Sequence, residues 1–111
     1  MSENEKVFEA TDENFNASVV ESEGLTIIDF WAVWCGPCRI VGPLVDQLAE
    51  EYADKGVRVG KLDVDNNPQT SAAFGIRSIP SILFFKDGEH VDTVIGAVPR
   101  AHLVEKLEAH L

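Results

Sequence analysis

Nine consecutive residues, Leu25-Thr-Ile-Ile-Asp-Phe-Trp-Ala-Val33, are almost all apolar or β-branched, and only Asp29 interrupts them. Such a run predicts a strand covered on both faces. Directly after it comes Trp34-Cys35-Gly36-Pro37-Cys38, which holds both cysteines of the chain. A helical pattern starts among them: Ile40, Val41, Leu44, Leu48 and Tyr52 fall on one side of a helix running to about Asp54. Pro43 is expected to kink that helix by removing one backbone bond, and Lys55-Gly56 closes it. Val57 to Val64 reads as a second interior strand. Strand, helix and strand then form one right-handed crossover unit with parallel strands. This sets Cys35 at the carboxyl end of a strand, the edge where open α/β sheets usually hold their reactive groups.

The rest of the chain extends the unit on both sides. Val7 and Phe8 suggest a short first strand; Thr11 or Asp12 can cap a helix with Phe15, Val19 and Val20 at helical spacing, and Gly24 ends it. Asn67 as cap and Pro68 at the first helical position start a short helix that Gly75 stops. Ser81–Phe85 and His90–Ile95 flank Asp87-Gly88, a strong signal for a tight antiparallel hairpin. Pro99 opens a last helix whose buried stripe is Leu103, Val104, Leu107 and Leu111. The order is βαβαβαββα, an α/β fold with a mixed five-stranded sheet and helices on both faces.

With 111 residues, 45% of them hydrophobic, the chain has room for one domain, 1–111, with a loose segment over 1–6. Such a domain buries roughly 65% of its unfolded surface, enough for a core without staples or metal. A formal net charge of -10 argues against nucleic acid or an anionic membrane as partner, since both would repel the surface. No stretch has the apolar length of a membrane span, and Met1-Ser2-Glu3-Asn4-Glu5-Lys6 lacks a basic start and an apolar run. The expectation is a cytoplasmic monomer with no targeting segment.

In a reducing compartment, a Cys-x-x-Cys pair is more often catalytic or metal-binding than structural. Closing so small a loop stabilises by only about 2 kcal/mol, so the pair is a poor staple. Zinc needs four ligands, and only His90, His102 and His110 remain, without a second cysteine pair or a His-x-x-x-His spacing. A redox pair fits best: the helix start favours a thiolate, and two thiols at this spacing can close and reopen.

Asp29 has two readings. It is a buried acid satisfied by backbone or water, or a carboxyl whose pKa is raised by desolvation so that it accepts a proton from the second thiol. Lys61, on the neighbouring strand, either pairs with it or is solvated at the strand edge. Ile79-Pro80 precedes a strand that otherwise looks central, where proline is rare. Only about 6% of X-Pro bonds are cis, so the residues alone leave the isomer open.

These landmarks resemble the thioredoxin family from about residue 7 to the end. Phe30-Trp31-Ala32 leading into Trp34-Cys35-Gly36-Pro37-Cys38, then Pro43, Lys61-Leu62-Asp63-Val64-Asp65, Asn67-Pro68, Gly75-Ile76-Arg77, Ile79-Pro80, Phe85-Lys86-Asp87-Gly88 and Gly96-Ala97 stand in the family's order. The resemblance implies the thioredoxin fold and a general protein disulfide reductase. Cys35 would be the exposed, low-pKa nucleophile and Cys38 the buried resolving thiol, with Asp29 and Lys61 assisting deprotonation of Cys38. Pro80 would be cis and pack against the disulfide, and the Ile79 backbone would offer a strand edge to substrate. Trp34, Gly36, Pro37, Gly96 and Ala97 would complete an apolar contact surface. The partners implied are disulfide-containing target proteins and a thioredoxin reductase that returns electrons from NADPH, with no cofactor bound to this chain. Val33, Gly42 and Ser78 depart from the residues frequent in the family, an acid, an alanine and a glycine respectively.

Two rivals remain beside the reductase. An oxidase or isomerase of the same fold would stabilise its reduced state more, whereas Pro37 has no N–H to give a thiolate. A thiol-gated binding module would keep its role without its cysteines.

Overall fold

The computed structural model describes residues 4–111. In it the apolar run forms strand β2, Leu25–Trp31, and both its edges are paired. On one side lies β3, Arg58–Asp63, parallel to it; on the other lies β4, Ser81–Lys86, antiparallel. The outer strands are β1, Val7–Glu9, parallel to β3, and β5, Glu89–Ile95, antiparallel to β4. The sheet order β1-β3-β2-β4-β5 is therefore mixed, as the pattern of elements predicts.

Side-chain alternation along β2 divides the core in two. Leu25 and Ile27 face helix α1, Cys38–Tyr52, and helix α3, Arg100–Ala109, packing with Val41, Val45, Leu103 and Leu107. Ile28 and Phe30 face the opposite side, where Phe15, Val19, Leu83 and Phe85 pack and Phe74 closes the layer. Phe15, Phe74 and Phe85 meet there at centroid separations of 5.3 to 5.6 Å. Asp29, an odd position like Leu25 and Ile27, consequently points to the α1 side.

Several expectations need correction. Residues 11–20 do not form a regular α-helix; after a turn at Thr11–Phe15 the segment Asn16–Val20 is π-helical, with the Glu21 N–H reaching the Asn16 carbonyl at 2.9 Å. Thr11 caps only the preceding turn, its hydroxyl accepting the Asn14 N–H at 3.1 Å, while the π-helical segment itself starts after Phe15 without a side-chain cap. Asn67 precedes helix α2, Pro68–Ala73, but its side chain is not the cap. Asp12 reaches across instead and accepts the N–H groups of Thr70 and Gln69 at 2.8 and 3.2 Å. Desolvation raises the Asp12 pKa, but the Thr70 and Gln69 bonds together hold it below the ordinary carboxylate value. Asn67 bridges the same junction, accepting from the Asp12 N–H and donating to the Asp63 carbonyl.

Ile40 and Leu111 were expected inside and are 64% and 47% exposed. Ile40 turns outward because Val41, Val45 and Leu48 carry the buried side of α1, and Leu111 lies beyond the end of α3. Pro43 sits within α1, and the helix ends in a 3₁₀ turn, Ala53–Lys55, closed by Gly56 at φ 78°. Of the segment 1–6, residues 1–3 lie outside the described residues. Asn4 begins a turn, its carbonyl accepting the Val7 N–H and its amide donating to the Asp46 carbonyl of α1.

The β4–β5 hairpin turns at Asp87 and Gly88, with φ 51° and 84°, the double positive φ of a type I′ turn. Asp87 also braces the turn against the loop before β2, its carboxylate accepting the Gly24 N–H at 2.8 Å and its own N–H meeting the Gly24 carbonyl at 2.9 Å. A Cβ at Gly88 would overlap the Val20 carbonyl, whereas a Cβ at Gly36 meets nothing within 4 Å. In urea unfolding, Gly88→Ala should therefore lose about 2–3 kcal/mol, combining backbone strain with displacement of the π-helical segment. Gly36→Ala should stay within about 0.5 kcal/mol of the parent. Equal losses for the two would show that contact with Val20 does not limit the turn.

Candidate functional site

β2 ends at Trp31, and the chain turns through Ala32–Pro37 into α1, whose first residue is Cys38. Cys35 and Cys38 are joined as a disulfide with their Cα atoms 5.3 Å apart. The Cys38 N–H, one of the unpaired donors of the helix start, points at Cys35 Sγ from 3.2 Å. That donor and the helix dipole both favour negative charge on Cys35. Pro37, at the N-cap, brings no N–H of its own.

The expected exposure of Cys35 does not hold. Cys35 is 3% and Cys38 6% exposed, because the pair packs with Ala32 and is flanked by Trp31, Val64 and Ile79. What distinguishes the two sulfurs is therefore their surroundings. Cys35 Sγ receives the Cys38 N–H and has the Ile79 carbonyl 3.7 Å away. Cys38 lines a recess of about 420 Å³ together with Asp29, Gly42, Asp46 and Lys61.

The expected contact residues gather around the pair. The Ile79–Pro80 peptide is cis, and Ile79 packs against the cysteines while Pro80 itself is buried. The Pro80 carbonyl accepts the Gly96 N–H at 2.9 Å, which ties Gly96 and exposed Ala97 to the same end of the sheet. Gly36 and Pro37 are exposed, as is Trp34 at 66%, its indole N–H donating to Asp65 at 2.9 Å. Val33 and Ile40 add further exposed apolar surface beside them.

Asp29 is 1% exposed, and its Oδ1 has no hydrogen-bond partner among the described residues. Burial pushes its pKa up to about 7; the Lys61 charge pulls it down and the Asp46 charge adds to the rise. Lys61 lies directly across from Asp29 in the β2–β3 ladder, yet its ammonium forms its ion pair with Asp46, at 3.1 Å. Asp46 is the residue that sequence reasoning missed. Its signal was spacing, because Cys38, Gly42 and Asp46 recur every four residues along one side of α1.

The buried acid makes stability depend on pH. Below its ordinary value of 3.8 the carboxyl is neutral in folded and unfolded chains alike. Between there and about 7 the unfolded chain ionises while the folded one keeps its proton, so stability falls as pH rises. A gap of about three units at about 1.4 kcal/mol each makes the full penalty about 4 kcal/mol, reached above pH 7. Asp29→Asn removes this titration. Its unfolding free energy relative to the parent should rise by about 3–4 kcal/mol between pH 4 and pH 8. A difference that stays flat across that range would mean that Asp29 ionises in the fold as it does in water.

Among the described residues, no helix is long and apolar enough to cross a membrane, and no group of three His, Cys, Asp or Glu side chains could hold a metal ion. The sequence matches the thioredoxin family model over residues 6–109. It is 46% identical over 106 residues to thioredoxin 2 of Chlorobaculum tepidum, covering 96% of each chain. It is 50% identical over 101 residues to thioredoxin 1 of Synechococcus elongatus, covering 91% of this chain and 94% of that protein. With the chloroplastic M-type thioredoxin of Pisum sativum the identity is 51% over 100 residues, or 90% of this chain and 58% of that one. The chain belongs to the thioredoxin family, and its Cys35–Cys38 pair makes it a protein-disulfide oxidoreductase that reduces disulfides by thiol–disulfide exchange.

Proposed function

We propose that Cys35 is the attacking thiol, Cys38 the resolving thiol and Asp29 the proton acceptor for Cys38. In the dithiol form, the Cys35 thiolate attacks one sulfur of a target disulfide, forming a mixed disulfide and expelling the other target sulfur as a thiolate. Cys38 then loses its proton to Asp29 and attacks Cys35 Sγ. The mixed disulfide breaks, the Cys35–Cys38 bond forms and the target leaves with both sulfurs reduced. Two electrons pass from the chain to the target.

The observation that carries this assignment is the Cys38 N–H directed at Cys35 Sγ from 3.2 Å, a donor that stabilises a thiolate on one sulfur only. Asp29 sharing a recess with Cys38, with its pKa raised to about 7, supports the acceptor role. Lys61 acts in this reading as a nearby positive charge. Ile79 beside the pair, with exposed Trp34, Gly36, Pro37 and Ala97 around it and Gly96 tied to Pro80, supports a flat apolar surface for unfolded or loop segments of target proteins. The lack of an N–H on Pro37 supports a reductant rather than an oxidase.

The electrons are returned, in this proposal, by a thioredoxin reductase drawing on NADPH, with no cofactor held by this chain. A reducing compartment such as the cytoplasm suits a pair that must be kept as a dithiol. With insulin as target and NADPH plus a thioredoxin reductase as the electron source, the parent should turn over. Cys35→Ser should fall to background, and Cys38→Ser should accumulate a mixed disulfide through Cys35. No turnover by the parent, with the reductase active on another thioredoxin, would contradict the proposal.

A further inference from the structure

Three charged side chains meet on the α1 side of the sheet, where the proposed chemistry uses two. Asp29 and Lys61 face each other across the β2–β3 ladder and would make an obvious ion pair. The Lys61 ammonium turns instead to α1, 3.1 Å from Asp46 Oδ1 and 3.3 Å from the Gly42 carbonyl. A Cβ at Gly42 would stand 3.5 Å from Lys61 Nζ, an ordinary contact, so the ammonium passes close over this turn of α1. Asp29 Oδ1 is left without a hydrogen bond among the described residues. Asp29, Lys61, Asp46 and Cys38 line one recess.

The groups facing Asp29 can be named from each element packed against it. β3 contributes Lys61, α1 contributes Cys38, Asp46 and Arg39, and β4 sets the aliphatic Ile82 opposite. The Arg39 guanidinium is directed away, donating to the Val33 carbonyl at 3.0 Å.

We propose that Asp46 is a positioning residue for the resolving step: it holds the Lys61 ammonium against α1 and so keeps the Asp29 carboxyl unpaired in the recess it shares with Cys38. The proposal rests on the proton-acceptor role assigned above to Asp29. An ammonium paired with Asp46 acts on Asp29 as part of a dipole rather than as a full positive charge, and the negative charge of Asp46 further disfavours ionisation of Asp29. Without Asp46, Lys61 is left with the carboxylates of its two cross-strand neighbours, Glu9 on β1 and Asp29 on β2, and only Asp29 shares its recess. Pairing there would make Asp29 a weaker acceptor for the Cys38 proton.

The test uses Asp46→Asn and Asp46→Glu in the full chain; the side chain is 32% exposed, so neither substitution disrupts a packed core. The Asp29 carboxyl is followed by ¹³C NMR in the oxidised protein, a readout independent of activity, and insulin reduction is measured against pH. Asp46→Asn should lower the Asp29 midpoint by about one pH unit or more, carry the acid limb of the turnover profile down with it and reduce the plateau rate. Asp46→Glu should behave as the parent. An unmoved midpoint in Asp46→Asn overturns the role given to Asp46 and leaves the Asp29 assignment intact. A moved midpoint over an unmoved turnover profile overturns the proton-acceptor assignment on which the proposal rests.

Discussion

Pairing of β2 on both edges governs this structure, because an interior strand has no freedom to slide or twist away from its neighbours. Its parallel bond to β3 requires a crossover, and α1 is that crossover, so the helix starts where the strand stops. Cys35 and Cys38 sit in that junction, on a helix start whose first N–H, that of Cys38, is directed at Cys35 Sγ. Its antiparallel bond to β4 places the segment before β4, Ile79 and Pro80, beside the same junction. One strand thus aligns the disulfide, the helix donor and the cis Ile79–Pro80 loop.

The same strand carries the energetic burden of the site. A carboxyl at 1% exposure, without a full set of hydrogen bonds, destabilises the fold once ionised. A direct pair with Lys61 would relieve much of that penalty. The ammonium turns to Asp46 instead, and the acid stays poised near neutrality. Stability given up at a reactive position is a recurring pattern in enzymes, and here the electrostatic cause is visible in three named side chains.

Much of this was legible in the sequence because the signals were local. The run Leu25–Val33, the glycine and proline punctuation and Asp87-Gly88 each act through backbone conformation or burial at their own position, and the mixed character of the sheet followed from the order of elements. Three of the features that were not legible share a reason. The cap of α2 comes from Asp12, some 55 residues upstream of Asn67, and no local pattern announces a donor–acceptor match formed by folding. Ile40 reads as core by its helical spacing with Leu44 and Leu48, but the buried side of α1 is centred on Val41 and Val45. The partner of Lys61 depended on which face of α1 meets β3, a tertiary fact that the four-residue spacing of Cys38, Gly42 and Asp46 suggests only in retrospect.

The central claim is the asymmetry between two equally buried cysteines, and site-resolved alkylation of the reduced protein measures it directly. Brief exposure to iodoacetamide across pH 5 to 9, with each cysteine quantified by peptide mass mapping, yields a separate rate profile for each thiol. The account predicts that Cys35 reacts at least about ten times faster than Cys38 at pH 7, and that its profile lies below the value of about 8.5 of an ordinary thiol. Cys38 reacting as fast as Cys35, or titrating at the lower pH, would contradict it.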